Sequence, residues 1–272
     1  MPSEAPHVAI GMEDLEQIAA LGWRGLEEAQ LGRWLLRAAA GFTGRANSAL
    51  VLGAPPATRA GWLIDLVAWY AQKGLPPMAQ IPLPSGAPVE SMLAAAGWRA
   101  HDHVRVLTGD IREVGALAAA HRTDRSKLVV RNDAAPDDAW LTAYKYRGAT
   151  LPDHAREVLE RAGPDTQLSF ASLRSPTNTG PWDVLAVARA ALARGWLGIT
   201  AVTVADQHRR RGLGTHLMAE LAAWGAEQGG LAIYLQVASD NVAALQLYQR
   251  LGLHHHHDYR YRIGPMPRSR AS

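Results

Sequence analysis

The residues most able to do chemistry lie between Thr203 and Leu217, where the chain reads Arg209-Arg210-Arg211-Gly212-Leu213-Gly214-Thr215 after an apolar run and before an amphipathic one. A diphosphate needs several backbone N–H groups aimed at it, and a helix N-terminus offers up to four that lack partners inside the helix. Glycines let the backbone approach the phosphate oxygens, and the helix dipole adds a modest favourable term. Arginine forks beside such a loop suit a polyphosphate. A glycine-rich strand-to-helix turn flanked by solvated arginines would carry the same letters, so the loop alone leaves both readings open. Two other nucleotide loops are excluded. Gly214 is followed by Thr215 without the lysine of a Walker loop, and position 217 is leucine where a dinucleotide fingerprint needs its third glycine.

A second pattern follows downstream: Asn241-Val-Ala-Ala244-Leu-Gln-Leu247-Tyr248-Gln-Arg-Leu-Gly252-Leu253. Taken with Val202-Thr203-Val204 and Arg209-x-x-Gly212-x-Gly214, it resembles the two acetyl-CoA motifs of the GCN5-related N-acetyltransferase superfamily. The likeness covers about residues 126 to 263, and Leu253 departs from the usual phenylalanine. The resemblance implies a strand, Val202, Thr203 and Val204, whose backbone holds the pantetheine arm while splayed from its neighbour. It implies a loop, Arg209, Arg210, Arg211, Gly212, Leu213, Gly214 and Thr215, wrapped around the pyrophosphate. Asn241, with Ala244 in the same motif, would meet the pantetheine, and Tyr248 would protonate the departing thiolate. The chemistry agrees: a thiol has a pKa of about 8.5 and a phenol about 10, so a neutral tyrosine shielded from water can donate to a thiolate. Without the motif, a core aromatic on an amphipathic helix explains Tyr248 as well.

The general base is not evident. Many superfamily members carry a glutamate on the strand before the loop, but residues 196 to 204 contain no acid. Asp183 and the histidines 254 to 257 are the neighbouring candidates. On a regular strand His254 and His256 share one face and His255 and His257 the other. No cysteine or suitably spaced carboxylate completes a ligand set, so no metal is expected.

Composition bounds the rest. The 272 residues include no cysteine, which excludes thiol nucleophiles and disulfides; any thiol must arrive on a co-substrate, and amine attack on a thioester needs no covalent enzyme intermediate. Apolar residues make up 48% and the net charge is +3, enough for a core and too little for a strong nucleic-acid signal. No apolar run reaches the roughly 18 residues needed to cross a bilayer, and the first ten residues lack a leader pattern, so the expectation is a cytoplasmic protein.

Two halves are expected, 1–122 and 123–272, divided near a polar stretch at 121–126. In the first, strands are expected at 7–10, 34–38 and 48–52, an edge strand at 77–83 because of its prolines, and another at 98–108. Helices are expected at 12–21, 59–72, 89–96 and 111–120. In the second, strands are expected at 128–131, 166–173, 184–192, 196–204, 231–237 and 253–263, with a tight turn at Arg194-Gly195. Helices at 137–146, 152–162, 212–228 and 242–251 complete it, the last capped at Ser239-Asp240-Asn241. The resemblance implies an α/β (α+β) class: a tandem fold, each half a mixed, mostly antiparallel twisted sheet flanked by helices, as in actinobacterial members. Where the second half has its phosphate loop, the first has Gly53-Ala-Pro55-Pro56, and two prolines supply no N–H groups. The first half therefore reads as a degenerate repeat that walls an acceptor site; residues 37–48, with Phe42, Arg45 and Asn47, are a candidate for that wall, and a plain strand-turn-strand explains the segment equally well. The function implied is acetyl-CoA-dependent transfer of an acetyl group to a primary amine. The alternative is a non-catalytic acetyl-CoA-binding sensor or partner-binding module. Acetyl-CoA and an unidentified amine are the expected partners, without nucleic acid or membrane, in a monomer or homodimer.

Overall fold

The computed structural model describes residues 9–56, 61–121, 128–176 and 182–266. The first half contains α1 (Met12–Gly22), β1 (Glu27–Leu31), β2 (Trp34–Ala38), β3 (Ala49–Leu50), α2 (Trp62–Gln72), β4 (Met78–Leu83), α3 (Ala87–Ala95), β5 (Arg99–Asp110) and α4 (Ile111–Ala120). The second contains β6 (Val129–Asp133), α5 (Asp138–Ala143), α6 (Ala155–Glu160), β7 (Gln167–Ser175), β8 (Asp183–Ala193), β9 (Trp196–Val204), α7 (Leu213–Glu227), β10 (Ala232–Ala238), α8 (Val242–Arg250) and β11 (His254–Ile263). The boundary expected between 122 and 123 lies outside the described residues, as does the start of the helix expected from 59.

All eleven strands form one sheet in the order β1-β2-β3-β4-β11-β5-β10-β9-β8-β7-β6. Only β3–β4 and β9–β10 pair in parallel; the other pairs are antiparallel. The pattern is nearly symmetric about β5 and β11, which cross between the halves. The last strand of each half thus completes the other half's part of the sheet. Both follow the same local unit, a helix ended by a left-handed glycine: Gly97 at φ 79° after α3 and Gly252 at φ 81° after α8.

Side-chain alternation places the layers. On β10, Ile233, Leu235 and Val237 face a buried cluster with Val114 of α4 and Leu217 and Leu221 of α7. Tyr234 faces the other way, joining Leu15 and Ile18 of α1, Val104 and Val106 of β5, and Tyr259 and Tyr261 of β11. A third cluster in the first half gathers Trp34, Trp62, Leu66, Tyr70 and Ile81. Each large aliphatic side chain so buried contributes about 1.5–3 kcal/mol.

Three expectations need correction, and one strand was not expected. Ile10 is not in a strand, and residues 7 and 8 are not described. β1 is present although its Glu27-Glu28 start has low strand propensity; it is the sheet's outer strand, where charge is usual. The proline-bearing β4 is not an edge strand, since it lies between β3 and β11. Its neighbour β3 spans only two residues, opposite Ala79 and Gln80, so Pro82 has β11 alone beside it. Finally, β11 does not alternate through its histidines. A bulge between His255 and His257 leaves His256 without an opposite residue.

Candidate active site

The loop expected to hold phosphate sits where β9 turns into α7. After β9 the chain makes a short 3-10 turn at Asp206–His208; Arg210 then stands at φ 61° and Gly212 at φ 74°. Gly212 is the N-cap of α7 and no side chain caps the helix, so its first N–H groups remain open to a ligand. The arginines are exposed, and Arg209 stiffens the loop by donating from Nη2 to Asp206 at 2.7 Å and from Nε to the Val204 carbonyl at 3.4 Å. Leu213 and Thr215 turn inward and are buried.

β9 and β10 separate beside this loop. Their parallel pairing ends at Leu235↔Ile199, although β9 continues to Val204 and β10 to Ala238. On its other side β9 carries a bulge: Val187 opposes Thr203 and Arg189 opposes Thr200, with Ala201 left-handed at φ 55°. The bulge adds local twist, which turns residues 202–204 away from β10. The splay expected at Val202-Thr203-Val204 is therefore present. Val202 and Val204 pack on the same buried cluster as Leu213, Leu245 and Tyr248, with Ala244 and Leu247 beside them. The two sequence motifs meet there, one on each side of the splay.

Asn241 caps α8, its Oδ1 accepting from the Ala244 N–H at 3.2 Å. Tyr248 is only 5% exposed, and burial pushes its phenol up to about 12. It is a core aromatic whose phenol stays protonated.

A cavity of about 480 Å³ opens where the strands part, lined on β9 by Thr200 and Ala201 and on β10 by Gln236 and Ala238. Its other walls come from both halves: Thr43, Arg45 and Asn47, His101 and Asp102 of β5, Tyr144, Tyr146 and Arg147, and Tyr259 and Tyr261 of β11. Of the first-half candidates, Arg45 and Asn47 line it, while Phe42 is buried behind them with Trp23 and Trp140. Asn47 pins this loop: Oδ1 accepts from the N–H groups of Ala39 (2.8 Å) and Gly41 (2.9 Å), and Nδ2 donates to the carbonyls of Phe42 (2.7 Å) and Thr43 (2.8 Å). The sequence offered no sign of Gln236, His101 or Asp102, because only the strand exchange and the splay bring them together.

The candidate bases lie elsewhere. Asp183 is exposed at the head of β8 opposite Ser175, and it does not line the cavity. Among the histidines, the buried His257 pairs through Nε2 with Glu16 of α1 at 2.9 Å, and His256 donates from Nε2 to the Ile10 carbonyl at 3.0 Å. These two tie α1 and the segment before it to β11, and His255 bonds Asp258 at 2.9 Å.

Comparison with known proteins agrees with this arrangement. A family model described as the C-terminal part of the probable histone acetyltransferase Rv0428c matches residues 11–262. The chain belongs to this family. The Mycobacterium tuberculosis probable histone acetyltransferase Rv0428c is 32% identical over 270 residues, 95% of this chain and 76% of that protein. The uncharacterized N-acetyltransferase YobR of Bacillus subtilis is 26% identical over 253 residues, 92% of this chain and 97% of its own. A GCN5-related N-acetyltransferase from Kribbella flavida superposes with a TM-score of 0.68 at 16% identity, covering 96% of this chain and 98% of that one. A tandem protein of the same superfamily from the clavulanic acid biosynthesis pathway gives 0.65 at 16% identity, covering 98% and 91%. The family member described here is thus an acetyltransferase with the GCN5-related N-acetyltransferase fold. Among the described residues, no helix is long and apolar enough to cross a membrane.

Proposed function

We propose that this acetyltransferase moves the acetyl group of acetyl-CoA to a primary amine by direct attack, at one site per chain. The observation that carries this reading is the end of β9–β10 pairing at Ile199↔Leu235, beside a helix N-terminus that Gly212 leaves uncapped by any side chain. The groups present fit acetyl-CoA. The N–H groups of 212–215 would hold the pyrophosphate, with Arg209, Arg210 and Arg211 around it. The unpaired edge of Val202-Thr203-Val204 would hold the pantetheine arm, and the Nδ2 end of Asn241, whose Oδ1 already serves Ala244, would reach the same arm. Bound acetyl-CoA supplies a thioester and a leaving thiolate. Tyr248 holds its proton across the working pH range and would deliver it to that thiolate. The cavity on the far side of the splay would take the amine, its first-half wall being the contribution of the repeat that lacks a phosphate loop. The domain division at 122–123 follows from the same reading.

A histone is named for the tuberculosis relative. Here the cavity has the size of a small-molecule site, and its arginines oppose a basic protein tail.

Thiol release from acetyl-CoA with a panel of amines tests the reading. Tyr248→Phe keeps the ring and removes the proton. Turnover is expected to fall by about 10²-fold or more, with acetyl-CoA affinity within twofold of wild type. Unchanged turnover in that variant removes Tyr248 from the mechanism. Binding of acetyl-CoA without thiol release for every amine would instead favour the sensor.

A further inference from the structure

Arg189 and Arg37 are buried near the junction of the halves, and the half-buried Arg45 beside them carries a buried Nε without a hydrogen-bond partner. Arg189 donates to the carbonyls of Leu159 (2.7 Å), Gly22 (2.8 Å) and Arg161 (3.4 Å). Arg37 donates to the Ser48 carbonyl (3.1 Å) and to Gln80 Oε1 (2.7 Å). Arg45 is different. Its guanidinium stands over the Trp23 ring at 5.3 Å, its Nε is sealed from solvent without a hydrogen-bond partner, and among the described residues it makes no ion pair.

The nearby carboxylates are committed. Glu16 bonds His257 Nε2 and Gln80 Nε2, both at 2.9 Å, and Asp102 pairs with Arg147. Across the same cavity, both polar atoms of the Gln236 amide are buried without a partner. Buried polar groups are almost always hydrogen-bonded, so two such groups facing one cavity point to a ligand that completes them. The loop carrying Arg45 is held in a costly form, with Ala40 at φ 45° and the β-branched Thr43 at φ 65°, and Asn47 makes four bonds to keep it there. Strain of this kind collects at ligand sites.

We propose that the acceptor is an amine that also carries a carboxylate, bound by Arg45 along its Nε edge and oriented by the Gln236 amide. This rests on the N-acetyltransferase reading and names its substrate class. The planar fork of arginine matches a carboxylate with two parallel bonds.

The test uses α-amino acids paired with the amines they yield on losing the carboxylate, such as tyrosine with tyramine and phenylalanine with phenethylamine. Calorimetry on the CoA-loaded full chain is expected to show the amino acid binding at least about tenfold more tightly in each pair. Arg45→Met should bring each pair within twofold while leaving CoA affinity unchanged, and Arg45→Lys should keep part of the preference. Gln236→Leu, an apolar change of similar size, should weaken the amino acid more than the amine. Equal binding within the pairs, no measurable binding of either member, or a preference that survives Arg45→Met would overturn the proposal. Thiol release is scored separately, so a carboxylate preference without turnover would count against the transferase reading and not against Arg45.

Discussion

Gly212 stands at φ 74° and ψ 10°, a conformation that costs an L-residue about 1–2 kcal/mol. Its neighbour Gly214 has a different reason to be small: a Cβ there would lie 3.3 Å from Leu247 of α8. Sequence reasoning explained both glycines by approach to phosphate; the structure assigns one to backbone conformation and the other to contact between α7 and α8. Gly212→Ala is therefore expected to weaken acetyl-CoA binding by about tenfold, seen as a raised Kd, with a small fall in Tm. An unchanged Kd would mean that the left-handed turn is not what presents the N–H groups. The side chain of Arg209, expected beside phosphate, donates to Asp206 and to the Val204 carbonyl.

At the level of elements, the loop at 39–47 shows how a segment without regular structure becomes rigid. Asn47 replaces a missing ladder with four bonds, and Trp23 Nε1 donates to Thr43 Oγ1 at 3.1 Å. Asn47→Ala should cost about 2–6 kcal/mol in denaturant unfolding, at about 0.5–1.5 kcal/mol per bond. It should also reduce acceptor affinity while acetyl-CoA affinity stays near wild type. If both affinities fall together, the loop serves the whole fold and not the acceptor side. Most helices were legible because periodicity and caps are local: Asp137 and Asn241 accept first-turn N–H bonds where polar residues stand before apolar runs. The bulges in β9 and β11 were not legible, since a bulge depends on the partner strand's register.

The whole molecule is one sheet in which each half borrows a strand from the other, and its interior is rich in buried tyrosine. Burial raises the phenols of Tyr70, Tyr144, Tyr234, Tyr248, Tyr259 and Tyr261, those of Tyr234 and Tyr248 to about 12. In the unfolded chain these groups ionise near 10. Folding thus holds their protons more tightly; the associated stability is full below about pH 10 and is lost as pH rises toward 12. Alkaline titration is expected to show cooperative unfolding in that window, with tyrosinate absorbance rising together with the loss of circular dichroism. Gradual ionisation near pH 10 in a still-folded chain would contradict the burial.

The sequence by itself determined the family and most elements, and it picked out the candidate nucleotide loop and proton donor, because those rest on residue type and short spacing. It also pointed to the first half as a repeat without a phosphate loop, since two prolines remove the needed N–H groups. Only the tertiary structure decided which strands are neighbours. The exchange of β5 and β11 is set by contacts more than a hundred residues apart, which no local pattern encodes. That exchange and the splay of β9 from β10 set Arg45, Gln236 and the tyrosines around one cavity, and so make that cavity a property of the two halves together.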